Sequence, residues 1–305
     1  MTPHRLFRRW CSAGLLAGTV AVAAAEPPRI GSDTRKPDAV RIGLVLGGGG
    51  ARGAAHIGVL EVLERLRVPV HCVAGTSMGA LVAGAWAAGT SPERMRGELT
   101  VADWNELFQD LTDYRELSLR NKQLVQRFLP GTELGITPRG LSAPPGVVAG
   151  QKIKLFFNQL VRADLGEPDL GSLALPVALI ATDIGSGERV VFRSGPVTQA
   201  MRASMSVPGL LAPAEVNGRR LVDGGLVDNL PVDEVRLLCR PDVVIAVNVG
   251  SPLLKAEDVG SLLTVTAQMV NILTEQNVTR SIASLTPRDV YIRPALDGIG
   301  AADFE

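Results

Sequence analysis

Ser77 lies in "CVAGTSMGALVAG" (residues 72–84), between Gly75 and Gly79, with apolar residues before it and an alanine-rich run after it. G-x-S-x-G between a strand and a helix is the pattern of a nucleophile elbow, which presents a serine hydroxyl at a sharp turn. Such a hydroxyl attacks a carbonyl only when a neighbouring base takes its proton. The chain holds three histidines, and none of them (His4, His56, His71) follows the serine. His4 sits in a segment that reads as removable. His71 begins the strand that delivers Ser77, about six extended residues away at ~3.3 Å each. His56 belongs to the helical run after the glycine-rich loop. The α/β-hydrolase order, in which the histidine follows serine and acid, is therefore excluded. A carboxylate remains. Asp223 in "LVDGGLVDNLPV" (221–232) ends an apolar strand, and Gly224 and Gly225 allow close approach, although an Asp-Gly turn alone would also explain the residues.

A second pattern is "GGGGARG" (47–53), which contains G-x-G-x-x-G at Gly48, Gly50 and Gly53. Dinucleotide binding would need an acid at the end of the next strand, and that strand ends in "AGTSMG". A phosphate-binding P-loop would need Gly-Lys-Ser/Thr, which is absent. Adjacent glycines do suit an oxyanion hole, because backbone N–H groups can approach a developing negative charge and the following helix adds its positive end.

The elements that must position these groups alternate. "VRIGLVL" (40–46) reads as a strand buried on both faces, residues 54–66 as an amphipathic helix, 68–75 as a strand and 80–88 as a helix. Residues 176–184, 189–194 and 242–250 read as further strands, 196–205 as a helix, "RRLVDGGLVDNLPV" (219–232) as a strand running into a turn, 258–284 as a long helix and 289–294 as a last short strand. Residues 90–150 look less regular, and 131–150 reads as a long loop bordering the site. This β-α alternation predicts one α/β domain with a mostly parallel sheet covered by helices.

The three motifs in this order resemble those of the patatin-like phospholipase family: G-x-G-x-x-G in "GGGGARGAAHIGVL", G-x-S-x-G in "AGTSMGALVAG" and D-G-A/G in "LVDGGLVDNLPV". "ATDIGSGE", "AMRASMSVPGLLAP" and "VVIAVNVGSPL" also look like bacterial, exported members, so the resemblance spans roughly residues 40–300. It implies a three-layer α/β sandwich with a mostly parallel central sheet, Ser77 as nucleophile, Asp223 as its base, and Gly49, Gly50 and Arg52 in the oxyanion-hole segment. Met78 N–H is a further candidate donor by elbow geometry. The motif glycines are Gly48, Gly53, Gly75, Gly79, Gly224 and Gly225. The implied activity is a serine lipid acyl hydrolase of phospholipase A or lysophospholipase type, working through an acyl-enzyme with no metal and no organic cofactor. A general carboxylesterase, an acyltransferase and a non-catalytic lipid-binding protein are the alternatives. The expected partner is a phospholipid or other acyl ester at a membrane or micelle surface, with a homodimer left open.

Other residues carry blander expectations. Asp183 and Arg202 read as structural hydrogen-bonding groups and Asp228 as a brace for its turn. Leu134, Ile136, Leu141, Val147 and Val148 suit either an acyl groove or the core.

Arg5, Arg8 and Arg9 precede an apolar stretch over 13–25 that ends in Ala23-Ala24-Ala25. This is a signal-peptide pattern, so residues 1–25 are expected to be removed on export, to the periplasm, the outer membrane or the medium, with polar, Pro-rich 26–39 as a linker to a hydrolase domain over 40–300. Formal net charge is zero for the whole chain and −3 once those three arginines are gone. Nucleic acid is therefore not an expected partner. Cys72 and Cys239 lie in apolar surroundings and read as buried free thiols, although export would permit a disulfide. "YIRPALDGIGAADFE" (291–305) resembles the point at which some exported members continue into POTRA repeats and a barrel.

Overall fold

A computed structural model describes residues 40–108, 148–162 and 166–304, with isolated positions between 118 and 142. The signal and linker readings at 1–25 and 26–39 lie outside the described residues. Strand β1 (Ile42–Leu46) leads through a 3₁₀ turn (Gly50–Ala54) into α1 (Ala55–Arg65). Strand β2 (Val70–Thr76) then runs into α2 (Met78–Ala87). Two helices follow in the stretch expected to be irregular, α3 (Pro92–Val101) and α4 (Trp104–Leu107). Their start signals are local: the Ser91 and Asp103 side chains cap them, and Pro92 occupies the first turn of α3. The expected loop at 131–150 contains a small hairpin, β3 (Gly135–Thr137) with β4 (Gly140–Ser142).

The chain continues through α5 (Gln151–Leu160), β5 (Val177–Asp183), β6 (Arg189–Phe192), α6 (Val197–Ser204), β7 (Ala214–Val216) and β8 (Arg219–Asp223). Helix α7 (Val232–Cys239), β9 (Val243–Val247), α8 (Leu262–Ala283) and β10 (Val290–Ile292) complete it.

The main sheet has the order β10-β9-β1-β2-β5-β8-β7, with β6 also paired to β5. The first five strands are mutually parallel; β8 pairs antiparallel with the end of β5 and with β7, and β6 pairs antiparallel with the other edge of β5. Alternate residues of the central strands enter different cores. Leu44, Leu46, Val73, Leu179 and Val247 pack with α1, α2, α5 and α6, whereas Val45, Cys72, Ala74, Ala178 and Ala246 pack with α7 and Val278 of α8. A sheet buried on both faces requires such continuous apolar strands, and helices on each side make the three layers.

The reading of Cys72 and Cys239 as free thiols is corrected by the structure: they form a disulfide with Cα atoms 6.1 Å apart. Helix α7, which carries Cys239 as its last residue, packs back on the sheet face that exposes Cys72. Two thiols separated by 167 residues meet only through that packing.

Candidate active site

Sheet register brings the two motif residues to one level. Thr76, the last residue of β2, pairs with Ile180 of β5, and the next residue of β5, Ala181, pairs with Asp223 at the end of β8. Because β6 occupies the opposite edge of β5 along both stretches, β2 and β8 meet end to end on one edge of β5, and Ser77 and Asp223 are neighbours where the two strands converge. Their side chains meet there: Ser77 Oγ donates to Asp223 Oδ2 at 2.6 Å. Both residues are buried.

Ser77 has φ 54° and ψ −124°, a positive φ in a residue with a Cβ. Conformations of this kind cost on the order of 1–3 kcal/mol and persist only where the surroundings enforce them. Here they are enforced from several sides. The Ser77 N–H donates to Ser204 Oγ at 2.8 Å, and Ser204 Oγ donates to the Ile180 carbonyl. The Ser77 carbonyl accepts from Ala80 and Leu81, which starts α2. Gly75 and Gly79 allow the elbow to close, since a Cβ on Gly75 would lie 2.4 Å from the Gly79 carbonyl oxygen and one on Gly79 2.1 Å from that of Leu46.

Asp223 is equally constrained. Its N–H donates to the Ser206 carbonyl at 2.9 Å, its carbonyl accepts from Thr182 Oγ1 at 2.8 Å, and its Oδ1 accepts from Gly225 N–H at 2.8 Å. Gly224 packs against the Ile180 carbonyl, where a Cβ would come within 2.3 Å. Burial raises the Asp223 pKa to about 6, against the opposing hydrogen bonds from Ser77 and Gly225. A base with that pKa is deprotonated near neutrality and accepts a proton more readily than an ordinary aspartate.

The glycine loop touches Ser77 directly: a Cβ on Gly48 would lie 2.9 Å from Ser77 Cβ and 2.4 Å from Asn229 Oδ1. Gly48 N–H is already used, by the Asn229 carbonyl at 3.3 Å. The N–H groups of Gly49, Gly50 and Met78 have no partner among the described residues. Met78 opens α2, so the positive end of a ten-residue helix lies beside the serine. Gly53 leaves room for the Met78 side chain, whose Cγ would be 2.2 Å from a Cβ there. The Arg52 guanidinium turns the other way and donates to the carbonyls of Val249, Leu296 and Ile299, so only the backbone of Arg52 is left to the loop.

The histidines are accounted for. His56 is buried, and its Nε2 donates to the Gly47 carbonyl at 2.7 Å; burial pulls its pKa down to about 4. His71 Nδ1 accepts from Ile42 N–H at 3.0 Å, at the far end of β2. Neither bonds to Ser77. Asp183 accepts from Gly185 N–H and pairs with Arg219, and Arg202 donates to Ser206 Oγ and to the carbonyls of Ala149 and Ala212. Asp228 pairs with Arg189 while its carbonyl accepts from Thr76 Oγ1, which ties the turn to the nucleophile strand. Burial also lifts its pKa to about 6. Of the residues suggested for an acyl groove, Val148 is in the core; Leu134 and Val147 lie outside the described residues, and Ile136 and Leu141 fall in the small hairpin.

Three polar residues at the site were not singled out from sequence. Ser204 sits in "AMRASMSVPG", whose apolar periodicity hides one buried serine hydroxyl. Asn229 follows Asp223 in its own motif and donates from Nδ2 to the Gly48 carbonyl at 3.2 Å. Asn277, on α8, accepts from Asn229 N–H and donates to the Gly225 carbonyl, both at 2.8 Å, and so bridges the two loops.

A family model described as patatin-like phospholipase matches residues 44–236. The chain is 36% identical over 210 residues to an uncharacterized NTE family protein of Mycobacterium tuberculosis, covering 69% of this chain and 49% of that one. It is 28% identical over 289 residues to a lysophospholipase of Aspergillus fumigatus, covering 86% of this chain and 17% of that one. The chain thus spans at most about half the length of these curated relatives. Among solved structures, VipD from Legionella pneumophila is similar with a TM-score of 0.46 and 18% identity, over 84% of this chain and 61% of that one.

Proposed function

Since the chain belongs to the patatin-like phospholipase family, we propose that it is a serine lipid acyl hydrolase of phospholipase A or lysophospholipase type, acting through a Ser77–Asp223 dyad. The observation that carries this reading is the 2.6 Å hydrogen bond from Ser77 Oγ to the Asp223 carboxylate, between residues 146 apart in sequence that no local motif joins.

In the first half-reaction Asp223 takes the Ser77 proton as Oγ bonds to the ester carbonyl carbon. The carbonyl oxygen becomes an oxyanion facing the N–H groups of Gly49, Gly50 and Met78. Collapse expels the lysolipid or glycerol alkoxide, which leaves as the alcohol with the proton held by Asp223, and the acyl group stays on Ser77. A water then gives its proton to Asp223, attacks the acyl-enzyme and releases the fatty acid, and the proton returns to Ser77. The buried, hydrogen-bonded oxyanion site supplies the larger share of the barrier lowering, because its donors are fixed before charge develops. As written, these steps call on no metal.

We also propose that the protein works outside the cytoplasm, on acyl esters at a membrane or micelle surface. The N-terminal signal pattern and the Cys72–Cys239 bond support an oxidising compartment. Exported protein should begin near Glu26 when its N-terminus is read by mass.

The central test is hydrolysis of phospholipid and lysophospholipid vesicles and of short soluble esters, each in excess EDTA. Wild type should release fatty acid and be labelled by a fluorophosphonate at Ser77. Ser77→Ala should lose the labelling and about 1,000-fold or more of the rate while keeping its fold. Full turnover by the alanine variant would exclude the dyad, and a strict requirement for added calcium would exclude the mechanism.

A further inference from the structure

Residues Leu296–Phe304 lie beyond the matched family region, and they bond to the glycine loop rather than to the sheet. Ala51 N–H donates to the Ala301 carbonyl at 2.8 Å. Arg52 Nη1 donates to the carbonyls of Leu296 at 2.9 Å and Ile299 at 2.6 Å, while Nε holds the Val249 carbonyl at 2.9 Å. Gly50, at φ 59°, passes so close that a Cβ there would lie 2.1 Å from the Ala301 oxygen. The segment is then anchored at its far end. The Phe304 ring stacks on Trp104 with centroids 4.6 Å apart and packs on Phe108 at 5.2 Å. Gly300 N–H donates to Asp303 Oδ2 at 2.7 Å, closing the turn before the anchor.

We propose that Leu296–Phe304 is a strap that holds the oxyanion loop in its working geometry, with Arg52 the clamp, Phe304 the anchor, and both of them positioning residues for turnover. The physical need is specific. Four consecutive glycines (47–50) carry more conformational entropy than any other run of this length, and two of them, Gly49 and Gly50, must offer N–H groups that no partner among the described residues fixes. Donors to an oxyanion help only if they are held in place before the charge forms. The start of the loop is fixed by Val247 of β9, which holds Gly47, and by Asn229, which holds Gly48. From Gly50 to Arg52 the contacts that fix it come from the strap and Val249. Because the oxyanion exists only in the transition states and the tetrahedral intermediates between them, loosening the strap should lower kcat and leave KM nearly unchanged.

This inference rests on the oxyanion role proposed for the glycine loop, so its test has one arm that needs no substrate. Phe304→Ala, remote from the chemistry, and Arg52→Lys, which keeps the charge but loses the fork of donors, are compared with wild type well below melting. Amide hydrogen exchange by mass spectrometry is followed in peptides covering residues 47–56, and kcat and KM are measured on a short soluble ester. Exchange in 47–56 should quicken about 10-fold in both variants, and kcat should fall about 10-fold with KM within about twofold, while Phe304→Tyr retains wild-type values. Unchanged exchange in 47–56 would overturn the strap, as would a fall in kcat that only tracks the unfolded fraction. If wild type itself hydrolyses no ester, the dyad reading fails while the exchange arm still decides whether the strap holds the loop.

Discussion

Around Ser77 and Asp223, every backbone and side-chain polar atom of the two residues has an internal partner. In the glycine loop beside them, the N–H groups at Gly49 and Gly50 have none among the described residues. The dyad is set by neighbours in the sheet: β5 fixes its level, and the Ser204–Ser206 end of α6 holds the N–H of both residues. The loop is set from outside the sheet, by Asn229 and Asn277 at one end and by the Arg52 clamp at the other. Ser77 and Asp223 are thus built to stay put, whereas the loop donors are left unsatisfied, as the oxyanion role proposed for them requires. Unsatisfied donors are the expected mark of a binding feature, since elsewhere buried N–H groups are paired.

The largest break in this contrast comes from the base. Asp223→Asn should cost at least ~100-fold in kcat/KM, the usual range for a lost general base. Wild-type kcat/KM should rise with pH through about 6, as Asp223 loses its proton. The same substitution has an opposite effect on stability. The folded pKa of about 6 lies above the ordinary carboxylate value, so the folded state binds the proton more tightly. Stability contributed by this group is present below pH ~4 and is lost as pH rises toward 6. Asp223→Asn, with no charge to desolvate, should therefore be more stable than wild type at pH 8 by on the order of 2 kcal/mol, and the difference should close at pH 4. Denaturant titrations at the two pH values measure it, and an asparagine variant less stable at pH 8 would contradict the burial argument.

A smaller effect is expected from the support beneath the elbow. Ser204→Ala removes the acceptor for Ser77 N–H and leaves that buried group unpaired, at a cost of about 1–3 kcal/mol. Because Ser77 must keep its positive φ, a loss of about 10-fold in kcat should accompany it, with the pH limb unmoved. Restoration of the rate by Ser204→Thr would sharpen the assignment to the hydroxyl itself; equal rates in wild type and alanine variant would dismiss it.

The disulfide separates stability from chemistry. Cys72→Ala with Cys239→Ala should lower unfolding free energy by about 2–4 kcal/mol, with kcat at 25 °C within about twofold of wild type. A large loss of kcat would mean that the α7 face reaches the site. The smallest effect should come from the histidines. Replacement of His56 and His71 by Gln should leave the acid limb near pH 6 and most of the turnover, because His56 stays neutral down to pH ~4 and serves only the Gly47 carbonyl. A folded but inactive double variant would reopen the search for the base.

Local chemistry was enough for much of the fold. Apolar runs at 42–46, 70–76, 177–183 and 243–247 could only be strands buried on both sides, and the expected order of elements holds through residue 88. Helices α3, α5 and α7 were missed for a physical reason: they are only eight to ten residues long and carry polar or charged residues on the outer side, and with propensity alone such segments are hard to tell from polar connections. The hairpin at 135–142 was missed because strands of three residues are too short to show a period.

By itself the sequence determined which residues are chemically capable. Ser77 between two glycines specifies an elbow, and the absence of a histidine after residue 71 removes the α/β-hydrolase order of serine, acid and histidine. Tertiary structure alone decided which capable residues meet. Asp223 meets Ser77 at one edge of β5 over 146 residues of sequence, Cys72 finds Cys239, Asn277 locks Asn229 to Gly225, and Arg52 grips a segment more than 240 residues away. Each of these contacts depends on sheet order and helix packing, which sum many small apolar burials across the whole chain. A polar side chain carries no mark of its distant partner, so the chemistry is local while the register that aligns it is global.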